Sequence, residues 1–339
     1  MKNLAYVLLS IVLTMVAWGS YGPMLNWGGA AMGQAHWLPF LFVGLAYFLI
    51  AVLATWGLLA WRGEPGSFTA GGVFWSFLAG VVTAVGALCV ILALTNKGSP
   101  IYVMPLVFGG APVVNTLLTM WMSKTHREAG PGFYAGLILV IIGAVFVLVF
   151  NPAGRAATEI TFPELLKVLG FVALTALCWG SYGPLLHRGQ MQMQGSRLRP
   201  YLCVGLAYFV IAVLVPLVLL ATGVEHGQVT VPGVLWSLAG GVAGALGSLG
   251  VILAFTFGGK PIYVMPLVFG GAPVVNTFVS IATAANLPNM SPLKYAFFYA
   301  GLIVVIAGAV TVLLFAPRGQ PHKPAEAAPA APSPEPAKT

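Results

Sequence analysis

The sequence predicts an all-α polytopic membrane protein whose ten transmembrane helices form two inverted five-helix repeats. Three observations carry that prediction. Hydrophobic residues make up 59% of the 339 and charged residues 6%, with a mean hydropathy of +0.95, whereas a soluble domain is about 25% charged. Apolar runs of helix length recur along the chain, each able to cross a hydrocarbon core of about 30 Å. The chain also repeats itself, for IYVMPLVFGGAPVVNT at 101–116 returns without a substitution at 262–277.

The first span, 4–23, closes on WGSYGP. Its opening could pass for a secretion signal, but an equivalent segment lies mid-chain at 165–181, so it is expected to be retained. The second, 37–61, contains VGLAYFLIAVL; the third, 72–95, ends near VILA; the fourth, 101–122, holds the repeated segment; the fifth is 131–150. The second set follows at 165–185, 201–222, 232–256, 262–284 and 295–316. WGSYGP (18–23) returns at 179–184 and VILA (90–93) at 251–254, both 161 residues on, and the offset rises to 165 for FYAGLI at 133–138 and 298–303. Residues 1–150 are therefore one repeat, 151–164 a connecting loop and 165–316 the second repeat. The Pro/Ala-rich tail 317–339 is expected to be disordered. Five spans per copy is odd, so the second copy enters the membrane upside down. Strands of a barrel would be short and alternating, which these runs are not.

The net charge of +8 is distributed like a topology signal rather than a nucleic-acid surface. With a cytoplasmic N-terminus the inner side holds Lys2, Arg62, Lys124, Arg127, Arg188, Arg197, Arg199, Lys260, Arg318, Lys323 and Lys338, and the outer side Lys97, Arg155, Lys167 and Lys294. The positive-inside rule then puts both termini in the cytoplasm of a multi-pass protein of the cell (inner) membrane. Cys89, Cys178 and Cys203 lie in apolar spans without metal-ligand spacing and read as packing residues. There is no aspartate, and the glutamates 64, 128, 159, 164, 225, 326 and 335 fall in predicted loops, span edges or the tail. The carboxylate buried at mid-membrane that couples protons or binds cations is missing. No nucleophile–base pair, metal cluster or nucleotide loop emerges, so no enzyme activity, metal or cofactor is expected.

Chemistry is concentrated in the repeated segments. A proline inside a helix removes one backbone hydrogen bond and crowds the preceding turn, at about 3 kcal/mol, and in lipid such backbone is tolerated only against protein or a watery cavity. Pro105, Phe108, Pro112 and Asn115 share one helical stripe, with Gly109 beside it; Pro266, Phe269, Pro273 and Asn276, with Gly270, repeat it. These positions are expected to break or bend the helix and line a cavity. Close packing explains the glycines and prolines equally, and an asparagine can bond across helices for about 0.6–2 kcal/mol without touching a solute. In WGSYGP, Trp18, Ser20 and Tyr21, with Trp179, Ser181 and Tyr182 of the second copy, offer an aromatic plate, a hydroxyl and a phenol; the bland alternative is an interfacial belt. Tyr102 and Tyr263, opening span four and its copy, read as belt residues.

Five-plus-five spans, an early WGS in each half, a Pro-containing fourth span and a fifth span GLILVIIGAVFVL together resemble the drug/metabolite transporter superfamily, in its ten-span EamA-like form. The likeness covers 1–316. WGSYGP followed by HRGQ looks most like the sugar-uptake and ureide-permease-like branches. The resemblance implies ten helices around a central cavity lined by spans one, three, four, six, eight and nine. It implies contacts to substrate from Trp18, Ser20, Tyr21, Asn115, Trp179, Ser181, Tyr182 and Asn276. The chain departs from many members in having MWMSKTHRE and SIATAANLPN where a Gly-Glu pair follows spans four and nine.

The function expected is secondary transport, without ATP, of a small neutral or zwitterionic polar metabolite (a sugar, nucleobase or ureide) by alternating access. The alternatives are a broad-specificity exporter or lipid translocator of the same fold, and a non-transporting membrane sensor or scaffold. The partners are a small-molecule substrate and the lipid bilayer, with no nucleic acid; no oligomeric state is read from the sequence.

Overall fold

A computed structural model describes residues 2–124, 130–150, 160–225, 227–257, 261–283 and 291–315. The tail, most of the expected connecting loop (151–159) and the Gly-Gly-Lys preceding Pro261 lie outside the described residues. The described chain is helical, in ten helices: α1 Lys2–Ala31, α2 Trp37–Arg62, α3 Ala70–Thr95, α4 Pro100–Ser123, α5 Pro131–Val149, α6 Phe162–Gln192, α7 Leu198–Ala221, α8 Val231–Thr256, α9 Pro261–Thr283 and α10 Pro292–Leu314. Eight are long and apolar enough to cross a membrane, and α5 and α9 carry the shorter apolar stretches Pro131–Val147 and Leu267–Thr283. The chain is a multi-pass membrane protein.

Local chemistry sets the helix ends. Thr69 caps α3 by accepting from Gly72 N at 3.1 Å. Ser99 caps α4, with Pro100 in the first turn, where its missing N–H is no loss. In the α1–α2 turn Gly33 and Gln34 are both left-handed, and in the α6–α7 turn Gln194 and Gly195 are, so each copy meets the same sharp reversal with one glycine and one glutamine in exchanged order.

Two expectations about helices need correction. Spans one and six do not end at WGSYGP: α1 continues through Pro23 to Ala31, and α6 through Pro184 to Gln192. Each packs along a partner for its whole length, α1 on α8 and α6 on α3, and that packing outweighs the proline penalty. Likewise α4 is unbroken helix across Pro105 and Pro112, and α9 across Pro266 and Pro273. The prolines are accommodated in these helices, not used to break them. The sequence pattern did not announce another irregularity. Both α2 and α7 contain a π-helical stretch, Leu49–Ala54 and Val210–Leu214, a widened turn that recurs at functional sites.

Tertiary contacts repeat with a 161-residue exchange of partners. Thr14 Oγ1 donates to Gly247 O at 3.1 Å, and Thr175 Oγ1 to Gly86 O at 3.3 Å. Thr69 Oγ1 donates to Gln192 O, and Thr230 Oγ1 to Ala31 O, both at 2.9 Å. At the centre α2 and α7 cross through small residues: a Cβ on Gly44 would lie 2.7 Å from Ala212 Cβ, and one on Gly205 2.8 Å from Ala51 Cβ. The first turns of α2 and α7 have no side-chain cap of their own. Glu225 instead accepts from the backbone N–H groups of His36, Trp37 and Leu38 at 2.6, 3.0 and 3.2 Å. Glu64 accepts from Arg197 N at 3.0 Å, Leu198 N at 3.1 Å and Ser196 Oγ at 2.6 Å. Each copy thus supplies the anion that satisfies the orphan donors and positive dipole end of a helix in the other. These contacts define two faces of the bundle. A near face carries the 62–70 and 192–198 connections, and a far face the 31–37, 95–100 and 221–231 connections.

Candidate functional site

The continuation of α1 and α6 places WGSYGP inside the bundle rather than at a membrane surface. Trp18 Nε1 donates to Gly244 O and Trp179 Nε1 to Thr83 O, each at 3.2 Å. Gly247 and Gly86 lie against the pyrrole edges of these indoles, and a Cβ at either would collide with the ring. The N–H groups are therefore consumed and the rings locked, so what each tryptophan presents is its apolar face.

Those faces belong to a circuit. Trp18 lies 6.4 Å from Phe269, Phe269 6.5 Å from Phe108, Phe108 6.3 Å from Trp179, and Trp179 5.9 Å from Tyr21, centroid to centroid. Trp18 and Tyr21 are one turn apart on α1, so the chain of rings closes on itself through α1, α9, α4 and α6. Beside it sits a layer of phenols. Tyr47 and Tyr208 stack face to face, 4.1 Å apart and 2° from parallel. The Tyr47 hydroxyl lies 3.2 Å from Ser248 Oγ, and the Tyr201 hydroxyl donates to Ala245 O at 3.0 Å. Tyr208 approaches the buried Tyr21 hydroxyl, which meets hydrogen-bond geometry with no described residue. Tyr182 is partly buried against the same core. These side chains are all uncharged. Trp18, Trp179, Tyr182 and Phe269 keep partly exposed surface, whereas Tyr21, Tyr47, Tyr201 and Tyr208 are buried. An uncharged aromatic lining of this kind suits a solute with an apolar side and no net charge to neutralise.

The other sequence candidates divide. Asn276 is fully buried, its Nδ2 donating to Pro100 O at 2.8 Å while Oδ1 lacks a partner among the described residues. Asn115, identical in local sequence, is half-buried against Gly183, and its amide makes no hydrogen bond among the described residues. Pro105, Pro112 and Pro273 are buried; the Pro266 and Tyr263 side chains lie outside the described set. Gly109 and Gly270 pack against Val305 and Ile306 of α10, so these glycines serve helix approach. Tyr102 is buried at the start of α4, not in a belt. Ser20 continues the stripe of the exposed Val12 and Val16, and Ser181 that of the exposed Leu174 and Leu177, with its hydroxyl donating to Leu177 O at 2.7 Å. Both serines turn away from the aromatic circuit.

Tyr47, Tyr208, Tyr201 and Ser248 were not among the sequence candidates. Tyr47 and Tyr208 recur at the common offset inside GLAYF, a signal that was present but looked like ordinary apolar repeat. Glu64 and Glu225 are likewise 161 apart.

No family model matches this sequence, and no curated protein is similar to it. A solved crystal structure superposes with a TM-score of 0.56 at 16% identity, covering 93% of this chain and 99% of its own. The likeness is one of fold. It spans both copies of the repeat, so the whole bundle is an arrangement that another, very different sequence also adopts.

Proposed function

We propose that the chain is a secondary transporter of a small neutral or zwitterionic polar metabolite, of the sugar, nucleobase or ureide kind. Residues 1–150 and 165–316 act as inverted repeats around the aromatic circuit, in a cell membrane with both termini cytoplasmic. The observation that carries this reading is the exchange of equivalent contacts, Trp18–Gly244 for Trp179–Thr83 and Glu225–His36 for Glu64–Arg197, about an uncharged aromatic site at mid-bundle. Two equivalent halves meeting at one site can trade places, which is the geometry alternating access needs. The near face carries Arg62, Arg188, Arg197 and Arg199, and the positive-inside rule makes it the cytoplasmic face. Arg188 and Arg199 lie over the rings of Trp75 and Phe68, at 4.4 and 5.7 Å.

In this reading Trp18, Trp179, Tyr21 and Tyr182 sandwich the solute, and tyrosine hydroxyls bond its edge. The absence of aspartate and the placing of the glutamates in loops, span edges or the tail fit facilitated diffusion, and sodium held by backbone carbonyls is the alternative drive; in either case the chain acts without enzymatic activity. The test is a thermal-shift screen of purified protein against neutral sugars, nucleobases and ureides, followed by counterflow in proteoliposomes with each stabilising compound. Trp18→Ala and Trp179→Ala each lower counterflow about twofold to tenfold, the loss of one aromatic stack, while the protein stays monodisperse. Undiminished flux in both variants overturns the site, and stabilisation by a solute without any flux overturns transport in favour of a sensor.

A further inference from the structure

The two copies carry the same residues but not the same burial. Met104 and Phe108 are buried, whereas their equivalents Met265 and Phe269 are half-exposed. The same holds for Leu25 against Leu186 and Ile91 against Ile252. The covered members lie toward the far face and the uncovered ones toward the near face. Helix packing follows suit. α1 meets both α3 and α4, but α6, its equivalent, makes no close backbone approach to α8 or α9 among the described residues. Meanwhile the contacts within α1–α8–α9 and within α6–α3–α4 are matched. Two like three-helix units therefore touch at the far face and part at the near face.

Among the described residues, a polar contact spans the closed seam. Asn276 of α9 donates through Nδ2 to the carbonyl of Pro100, in the first turn of α4. Asn115 is its equivalent, and the equivalent acceptor is the carbonyl of Pro261, in the first turn of α9. Asn115 makes no hydrogen bond among the described residues and stays half-exposed.

Resting on the transport reading above, we propose that Asn276 and Asn115 are alternating gate latches rather than substrate ligands. Asn276 bonded to the Pro100 carbonyl holds the far face shut. In the second state that bond opens and Asn115 closes onto the Pro261 carbonyl. The identical segments 101–116 and 262–277 then supply, from one sequence, both the donor of one latch and the acceptor of the other. A substitution in one copy unbalances the pair, which accounts for the absence of any difference between them.

The test uses full-length protein in detergent with Cys89, Cys178 and Cys203 replaced by Ala, and a single reporter, Leu25→Cys for the far seam or Leu186→Cys for the near one, labelled with a maleimide. The parent labels faster at Leu186→Cys. Asn276→Ala raises labelling of Leu25→Cys about threefold to tenfold, the range one membrane-buried hydrogen bond supplies, and lowers that of Leu186→Cys. Asn115→Ala leaves Leu25→Cys as slow as in the parent or slower. Asn276→Leu, which keeps the volume without the donor, reproduces Asn276→Ala and decides the matter if the alanine variant aggregates. Reporters that do not move, or that move together in the Asn276 and Asn115 variants, overturn the latches. Opposite reporter shifts in a protein without counterflow would leave the latches standing and remove transport; normal counterflow with unmoved reporters would do the reverse.

Discussion

At the scale of single residues, the site depends on glycines as much as on aromatics. Trp179 holds its position because its N–H reaches the Thr83 carbonyl and because Gly86 leaves room for the ring edge. Gly86→Ala puts a methyl into that ring, so counterflow falls at least about tenfold and thermal stability drops, an overpacking cost of about 1–3 kcal/mol. Trp179→Phe separates the two contributions, keeping an aromatic face but losing the hydrogen bond at about 0.6–2 kcal/mol. It lowers the melting temperature yet retains part of the flux lost in Trp179→Ala, and both quantities are measurable on one preparation. At this scale the matched hexapeptides stand out in the sequence, and the structure brings the rings of Trp18, Tyr21 and Trp179 into one circuit. The sequence did not show how each side chain packs. Ser20 and Ser181 share the same hexapeptide yet are half-buried on another side of their helices, because adjacent positions on a helix point about 100° apart.

The helices themselves were legible from apolar length alone, and their order and number follow the runs. What was not legible was how they begin, bend and end. The reach of α1 beyond Pro23 is decided by its packing against α8, a distant segment that no local window contains. The glutamate caps have the same origin. Glu64 and Glu225 sit in connections that read as plain loops, and their targets lie 133 and 189 residues away. Removing the Glu225 carboxylate leaves three first-turn N–H groups of α2 without a partner. Glu225→Ala accordingly accelerates hydrogen exchange at His36, Trp37 and Leu38 about tenfold or more, a loss of about 1–2 kcal/mol. Glu225→Gln, which can still accept, shows a smaller effect. Equal exchange in Glu225→Ala and the parent would mean the cap contributes nothing. The Lys97–Glu164 pair, 53% and 38% exposed, is a different case, and Lys97→Ala changes stability by less than about 1 kcal/mol.

For the whole molecule, the exchange of contacts means that neither copy is complete alone. The α2 cap, the α1–α8 seam and the α2–α7 crossing each draw one partner from either copy. Residues 1–150 expressed by themselves therefore aggregate, as do 160–339, whereas the two co-expressed pieces co-purify as a folded complex; a stable, monodisperse single copy would contradict this.

By itself the sequence determined the membrane class, the span order and the matched pairs of side chains at a constant spacing, because apolar length and periodicity are properties of a short stretch of chain. Only the tertiary structure decided which member of each pair is covered. The segments 101–116 and 262–277 are identical, yet Asn276 is sealed against Pro100 while Asn115 stands half-open beside Gly183. Identical neighbours along the chain cannot produce that difference. It arises from neighbours across the bundle, where the two like units touch at one seam and part at the other.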